Sequence, residues 1–251
     1  MCIICASAAG VRQPNEATLR RMFTNNPHGA GFMYARSGKV WIRKGFMNWG
    51  DFARAVRDAA FTPDDPVVYH FRISTQAGVN PAMTHPFPLT SDIEKCRALD
   101  LVCPVGVAHN GIVRMTSDFR DKVYSDTAHY IAEFMTYLLR NGNDLRNPAI
   151  MNAIARMTDS SKWAIMDGSG YIATAGDFIE DGGLLYLNAG FRSTGYYNRG
   201  GVVLPQRRGG QGVLRGFYED EPEFDEGDGT SSAGDLDAGD IDPETGEPWG
   251  Y

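Results

Sequence analysis

The chain has 251 residues, 43% of them hydrophobic, and a formal charge of −7, which suits one large domain with a sizeable core. No apolar run approaches the ~18–20 residues of a membrane span, and no basic stretch followed by a long apolar one marks a signal peptide; a soluble, cytoplasmic protein with no membrane partner is expected. The charge is unevenly spread: residues 219–251 hold 13 of the 31 acids and none of the 24 Lys and Arg, leaving residues 1–218 at +6.

The chain opens with MCIICASAAG, which reads as a short buried strand over residues 2–9. In PNEATLRRMFTNN, Pro14 marks a helix start, and Leu19, Met22 and Phe23 follow at helical spacing. HGAGFMYARSGKVWIRKGF predicts two strands around a Ser37-Gly38 turn. A helix follows, with an asparagine cap and Phe52, Ala55, Val56 and Ala59 on one face. DPVVYHFRIS predicts a strand, and LVCPVGVAHNGIV another. The spacing predicts a helix over 125–140 whose apolar stripe is Ala128, Ile131, Ala132, Met135 and Leu138, and a shorter helix over 148–157. KWAIMDGSGYIATAG is a hairpin turning at Asp167-Gly168, and GLLYLN a further strand. Strands at both ends with helices between predict an α+β arrangement. Beyond residue 198 a Gly- and Arg-rich stretch leads into the acidic run, with too little apolar surface to offset its ordering entropy. The expected organisation is a domain over 1–204 and a flexible tail over 205–251.

Four cysteines are present: Cys2, Cys5, Cys96 and Cys103. One Cys-x-x-Cys followed about ninety residues later by two cysteines with six residues between them is no zinc-ribbon pattern. A redox pair sits between a strand and a helix start, whereas Cys2 and Cys5 lie on one strand. No metal or other cofactor is expected. Cys2 has another use. If Met1 is trimmed, Cys2 carries a thiol and a free α-amine on adjacent carbons, a nucleophile with its own base. Cys5, on the opposite face, is then a core thiol.

Five further stretches matter in that light: NPHGAGF (26–32), YHFRISTQAG (69–78), THPFP (84–88), VAHNGIV (107–113) and YSDTA (124–128). Each alone has a plain structural explanation. His-Asn-Gly makes a tight turn, an arginine near a strand end is a surface charge, and a histidine before proline is a structural hydrogen bonder. In this order behind Met-Cys, they resemble the glutaminase domain of class II glutamine amidotransferases, members of the N-terminal nucleophile hydrolases. The resemblance covers roughly residues 2–190.

That resemblance implies a four-layer αββα sandwich with two mainly antiparallel sheets. It implies Cys2 as nucleophile with its α-amine as base, and an oxyanion hole from the Asn110 side chain and the Gly111 N–H. It assigns Arg72 to the substrate α-carboxylate and Asp126 to the α-ammonium, with Thr75, Gly78 and His85 lining the pocket. Gly29 and Gly31 let the chain pass close to the nucleophile. His70 is a packing or supporting group on the same strand face as Arg72, and His109 points away from the pocket. Two departures stand out: Ala128 follows Ser-Asp-Thr where such enzymes commonly have Glu, and Gln76 stands where some have His or Val. About sixty residues follow the matched stretch, and they are not expected to form a synthase domain.

The expected activity is hydrolysis of glutamine to glutamate and ammonia, the ammonia passing to a separate synthase partner. The alternatives are hydrolysis of another γ-glutamyl amide, without ammonia transfer, and a non-catalytic binding module. Arg199, Arg207, Arg208 and Arg215 lie among glycines, a composition also found in nucleic-acid-contacting segments. Four arginines beside thirteen acids read instead as a solvated linker.

Overall fold

The structure, a computed structural model, describes residues 1–73, 79–114, 123–139, 143–158 and 161–193, and these fall in one compact unit. The expected tail, 205–251, lies outside the described residues.

Strand β1 (Ile3–Ser7) is buried along its whole length. Helix α1 (Glu16–Asn25) starts after Asn15, whose side chain accepts from Thr18 N at 2.9 Å. The capping carboxamide, rather than Pro14, therefore sets the start. Strands β2 (Ala30–Arg36) and β3 (Lys39–Phe46) form the expected hairpin, with positive φ at both Ser37 (55°) and Gly38 (73°). Such a turn matches the twist of its strands. Helix α2 (Trp49–Ala59) is capped by Asn48 and buries Phe52, Ala53 and Ala55. Strand β4 (Val67–Phe71) is fully buried.

The next stretches depart from expectation. A two-residue strand, β5 (Phe87–Pro88), has no sequence signal. LVCPVGVAHNGIV holds two strands, β6 (Asp100–Cys103) and β7 (Val105–Asn110), which belong to different sheets. Pro104 separates them, because a residue without an N–H cannot continue a ladder.

The predicted 125–140 helix is also broken. Helix α3 (Asp126–Tyr130) passes through a π turn (Ile131–Met135) into α4 (Thr136–Leu138). The π turn inserts about one residue into the helical repeat, so Leu139 rather than Leu138 is buried, at 2% exposure. Thr136 Oγ1 donates to Ile131 O at 2.7 Å within that turn. Helix α5 (Pro148–Met157) begins with proline behind an Asn147 cap. Strands β8 (Lys162–Asp167) and β9 (Ile172–Ala175) form the second expected hairpin. They are followed by β10 (Ile179–Asp181), unpredicted, and β11 (Leu184–Tyr186).

The result is α+β with two antiparallel sheets, one ordered β10-β11-β1-β4-β2-β3-β6 and the other β5-β7-β8-β9. Three apolar clusters hold it together. Leu19, Met22, Phe23 and Phe52 from α1 and α2 meet Phe32, Tyr69 and Phe71 of the larger sheet. Ile4, Met33, Ile42 and Val68 of the larger sheet meet Ala108, Ala164 and Met166 of the smaller. Val107, Trp163 and Ile165 meet Tyr130, Ile131, Met151 and Ile154 of the later helices. Alternation along each strand divides its side chains between two of these clusters. Among the described residues no helix is long and apolar enough to cross a membrane.

Candidate active site

Cys2 immediately precedes β1 in the larger sheet, and Asn110 ends β7 in the smaller one. The two meet: Cys2 N donates to Asn110 Oδ1 at 2.7 Å. With Met1 attached this nitrogen is a peptide N–H, standing where the α-amine would be once Met1 is removed. Because Oδ1 is engaged, the Asn110 amide directs its Nδ2 donor elsewhere. The Cys2 thiol lies 3.8 Å from Ile73 O, a contact in which sulfur donates. Burial pushes the thiol pKa up, partly offset by the Ile73 contact, the Met1 ammonium and Arg72, so the resting group is a thiol.

Gly111 follows Asn110 with φ +146°, and its Cα rests on Ser161. A Cβ there would fall 2.3 Å from Ser161 Oγ, so only glycine lets the main chain, with its N–H, run this close. Arg72 extends β4 by one residue and is 7% exposed. Its N–H donates to Gly29 O at 2.8 Å, and its carbonyl accepts from His28 N at 3.1 Å. Burial lowers the guanidinium pKa, while Cys2 and Asp126 nearby raise it. Asp126 heads α3; Oδ2 accepts from Val113 N at 2.7 Å and Oδ1 from Thr127 N at 2.8 Å. Ser125 caps the same helix by accepting from Ala128 N at 3.2 Å, and Ala128 itself is buried in the core.

Cys2, Arg72, Asn110, Gly111 and Asp126, drawn from separate stretches of sequence, are thus tied into one region by bonds and mutual electrostatics. Thr75 and Gly78 lie outside the described residues. His85 lies close enough to Arg72 for that charge to act on its ring. Its ring packs against His70 (centroids 4.4 Å apart) and Phe87 (4.6 Å), and both ring nitrogens are enclosed with no hydrogen-bond partner among the described residues. That placement packs the His85 imidazole between the rings of His70 and Phe87.

Gly29 and Gly31 each permit a close contact. A Cβ on Gly31 would meet His85 O at 2.3 Å, and one on Gly29 would meet Thr84 Cγ2 at 2.5 Å. The close approach they permit is to the Thr84-His85 passage.

His70 Nε2 donates to His109 O at 3.1 Å, linking β4 to β7 across the two sheets. His109 stacks on Trp163 at 3.9 Å and pairs Nδ1 with Thr127 Oγ1 at 2.8 Å, next to Asp126. Burial pulls the pKa of His70 and of His109 down to about 3, and that of His85 well down. All three rings are neutral at pH 7.

Two asparagines outside the expected set of site residues complete the region. Asn26 Nδ2 donates to Met1 O at 2.9 Å and to Phe71 O at 3.2 Å, and Asn188 Nδ2 donates to Cys2 O at 2.8 Å. Asn26 lies within a quoted motif, but Asn188 is 186 residues from its partner and carries no local signal. Among the described residues no group of three His, Cys, Asp or Glu is placed to hold a metal ion. The chain matches no protein-family model and no curated protein. Chemically, the region joins a thiol and an adjacent nitrogen to two hydrogen-bond donors and a pair of opposite charges.

Proposed function

We propose that the protein is a Cys2-nucleophile amidohydrolase of the class II glutamine amidotransferase type, which hydrolyses glutamine to glutamate and ammonia. The observation that carries this reading is the 2.7 Å bond from Cys2 N to Asn110 Oδ1, made between two sheets, with Arg72 and Asp126 alongside. Three clusters alternating with two sheets also suit an αββα sandwich.

In this reading Met1 is removed and the α-amine, with a reference pKa of about 7.7–8.0, takes the thiol proton. The thiolate attacks the glutamine side-chain carbonyl. Asn110 Nδ2 and Gly111 N–H receive the oxyanion, each such donor being worth about 3–4 kcal/mol in acyl transfer. Collapse breaks the C–N bond, and the α-ammonium returns its proton to the leaving ammonia. Water, with the α-amine again as base, then hydrolyses the thioester. The Arg72 fork fits a carboxylate with two parallel bonds, and Asp126 offsets the α-ammonium. The ammonia is handed to a separate synthase.

The test is direct. Protein with Met1 removed, confirmed by mass, is incubated with glutamine, and glutamate and ammonia are measured. Equal release of both, abolished in Cys2→Ala, is expected. Turnover of a γ-glutamyl derivative but not of glutamine would move the substrate to another γ-glutamyl amide. Full activity with Met1 retained would overturn the N-terminal nucleophile.

A further inference from the structure

On one side β1 pairs with β4 from Ile3 onward. On the other it pairs with β11, and the last main-chain bond there runs from Leu187 N to Ile4 O at 2.9 Å. The next carbonyl on that edge belongs to Cys2, because alternate residues of a strand direct their carbonyls the same way. By then the partner chain has left the ladder, since Asn188 leads into the 3-10 turn Ala189–Phe191. The Asn188 side chain takes over. Its Nδ2 donates to Cys2 O at 2.8 Å while its Oδ1 accepts from Gly190 N at 2.9 Å. Asn188 is 7% exposed, so water competes little for either bond. Gly190 makes the approach possible: a Cβ there would stand 2.7 Å from Ile3 Cδ1.

We propose that Asn188 is a positioning residue for the Cys2 nucleophile, continuing the β11 ladder with a side-chain amide where the main chain turns away. This rests on Cys2 being the nucleophile. A chain terminus frays unless tied down, yet a reacting group displaced by 1 Å costs on the order of a hundredfold in rate. Asn110 holds the nitrogen of Cys2 and Asn188 its carbonyl, so the Cα from which the thiol side chain springs is fixed from both sides. The Asn188 bond survives loss of Met1, because its acceptor is Cys2's own carbonyl. Asn26, whose acceptor is Met1 O, loses that bond.

Two variants separate this role from the capping of Gly190. Asn188→Ser keeps an oxygen able to cap the turn but is too short to reach Cys2 O. Asn188→Asp keeps the shape and sets oxygen against oxygen. Iodoacetamide alkylation of Cys2, followed by mass spectrometry, needs no substrate. It should run about fivefold or more faster in Asn188→Ser, as the loosened terminus swings outward. In both variants kcat for glutamine should fall roughly 10–100-fold with KM within about threefold. An unchanged alkylation rate in Asn188→Ser, or kcat at the wild-type level in both variants, overturns the proposal. If the wild type hydrolyses no γ-glutamyl amide, the functional reading fails, and the alkylation contrast still decides whether Asn188 holds Cys2.

Discussion

Asn110 has two tasks that belong to opposite ends of one carboxamide. Its oxygen holds the Cys2 nitrogen at 2.7 Å, which orients its NH2 towards the developing oxyanion in the proposed reaction. Asn110→Ala removes both. The expected outcome is a fall in kcat of roughly 10²–10³, with a much smaller change in KM, because the oxyanion exists only on the reaction path. Asn110→Asp retains an acceptor for Cys2 N and removes the donor, and should lose a similar factor. Steady-state kinetics on glutamine would check both, and a change confined to KM would remove Asn110 from the oxyanion hole.

At the level of elements, Lys44 on β3 ties down the passage that carries His85. The side chain is 3% exposed, and burial lowers its amine pKa to about 7. Nζ donates to Ala82 O at 2.8 Å and to Cys96 O at 2.5 Å, and sits 4.0 Å from the centre of the Phe87 ring. One side chain thus joins three parts of the segment between β4 and β6. Lys44→Met fills a similar volume and relieves the burial of charge, but leaves two enclosed carbonyls without their donor. Unpaired buried groups of this kind cost about 1–3 kcal/mol each, so the loss should outweigh the relief. Urea unfolding should show Lys44→Met less stable by about 1–3 kcal/mol. Unchanged or increased stability would mean that the buried charge outweighs its hydrogen bonds.

Across the whole molecule, His70, His85 and His109 make the fold sensitive to acid. Their imidazoles are buried and neutral, with pKa values lowered to about 3 for His70 and His109. In an unfolded chain each would titrate near about 6.5. The unfolded state therefore binds more protons below that pH, so stability is fully present above it and is lost as pH falls towards 3. With three such groups the slope can reach about 4 kcal/mol per pH unit. Asp65 and Asp167 act lower still: burial pushes their pKa values up, but hydrogen bonds from Thr62 and Arg36, and from Ser169 and Arg146, bring them below the ordinary carboxylate value. The window from about pH 6 to 4 thus belongs to the histidines. Urea unfolding across this range should show a steep decline, shallower in His70→Asn. A flat profile from pH 7 to 5 would show that the rings are not held neutral.

Much of this was written locally. Residue periodicity located both hairpins and the cores of the main helices, because a two- or 3.6-residue repeat reflects which face is buried. The motifs single out Cys2, Arg72, Asn110, Gly111 and Asp126, which the fold brings into one region. Periodicity does not say which buried face meets which, so the parting of β6 from β7 into separate sheets, and the π turn that exchanges Leu138 for Leu139, appear only in three dimensions. The same limit hid the enclosure of His85 behind His70 and Phe87. The grip of Asn188 on Cys2 and the staple made by Lys44 lay furthest from view. A hydrogen bond joining residues 186 positions apart leaves no periodic or spacing signature, and exists only because the folded sheet lays the ends of β1 and β11 side by side.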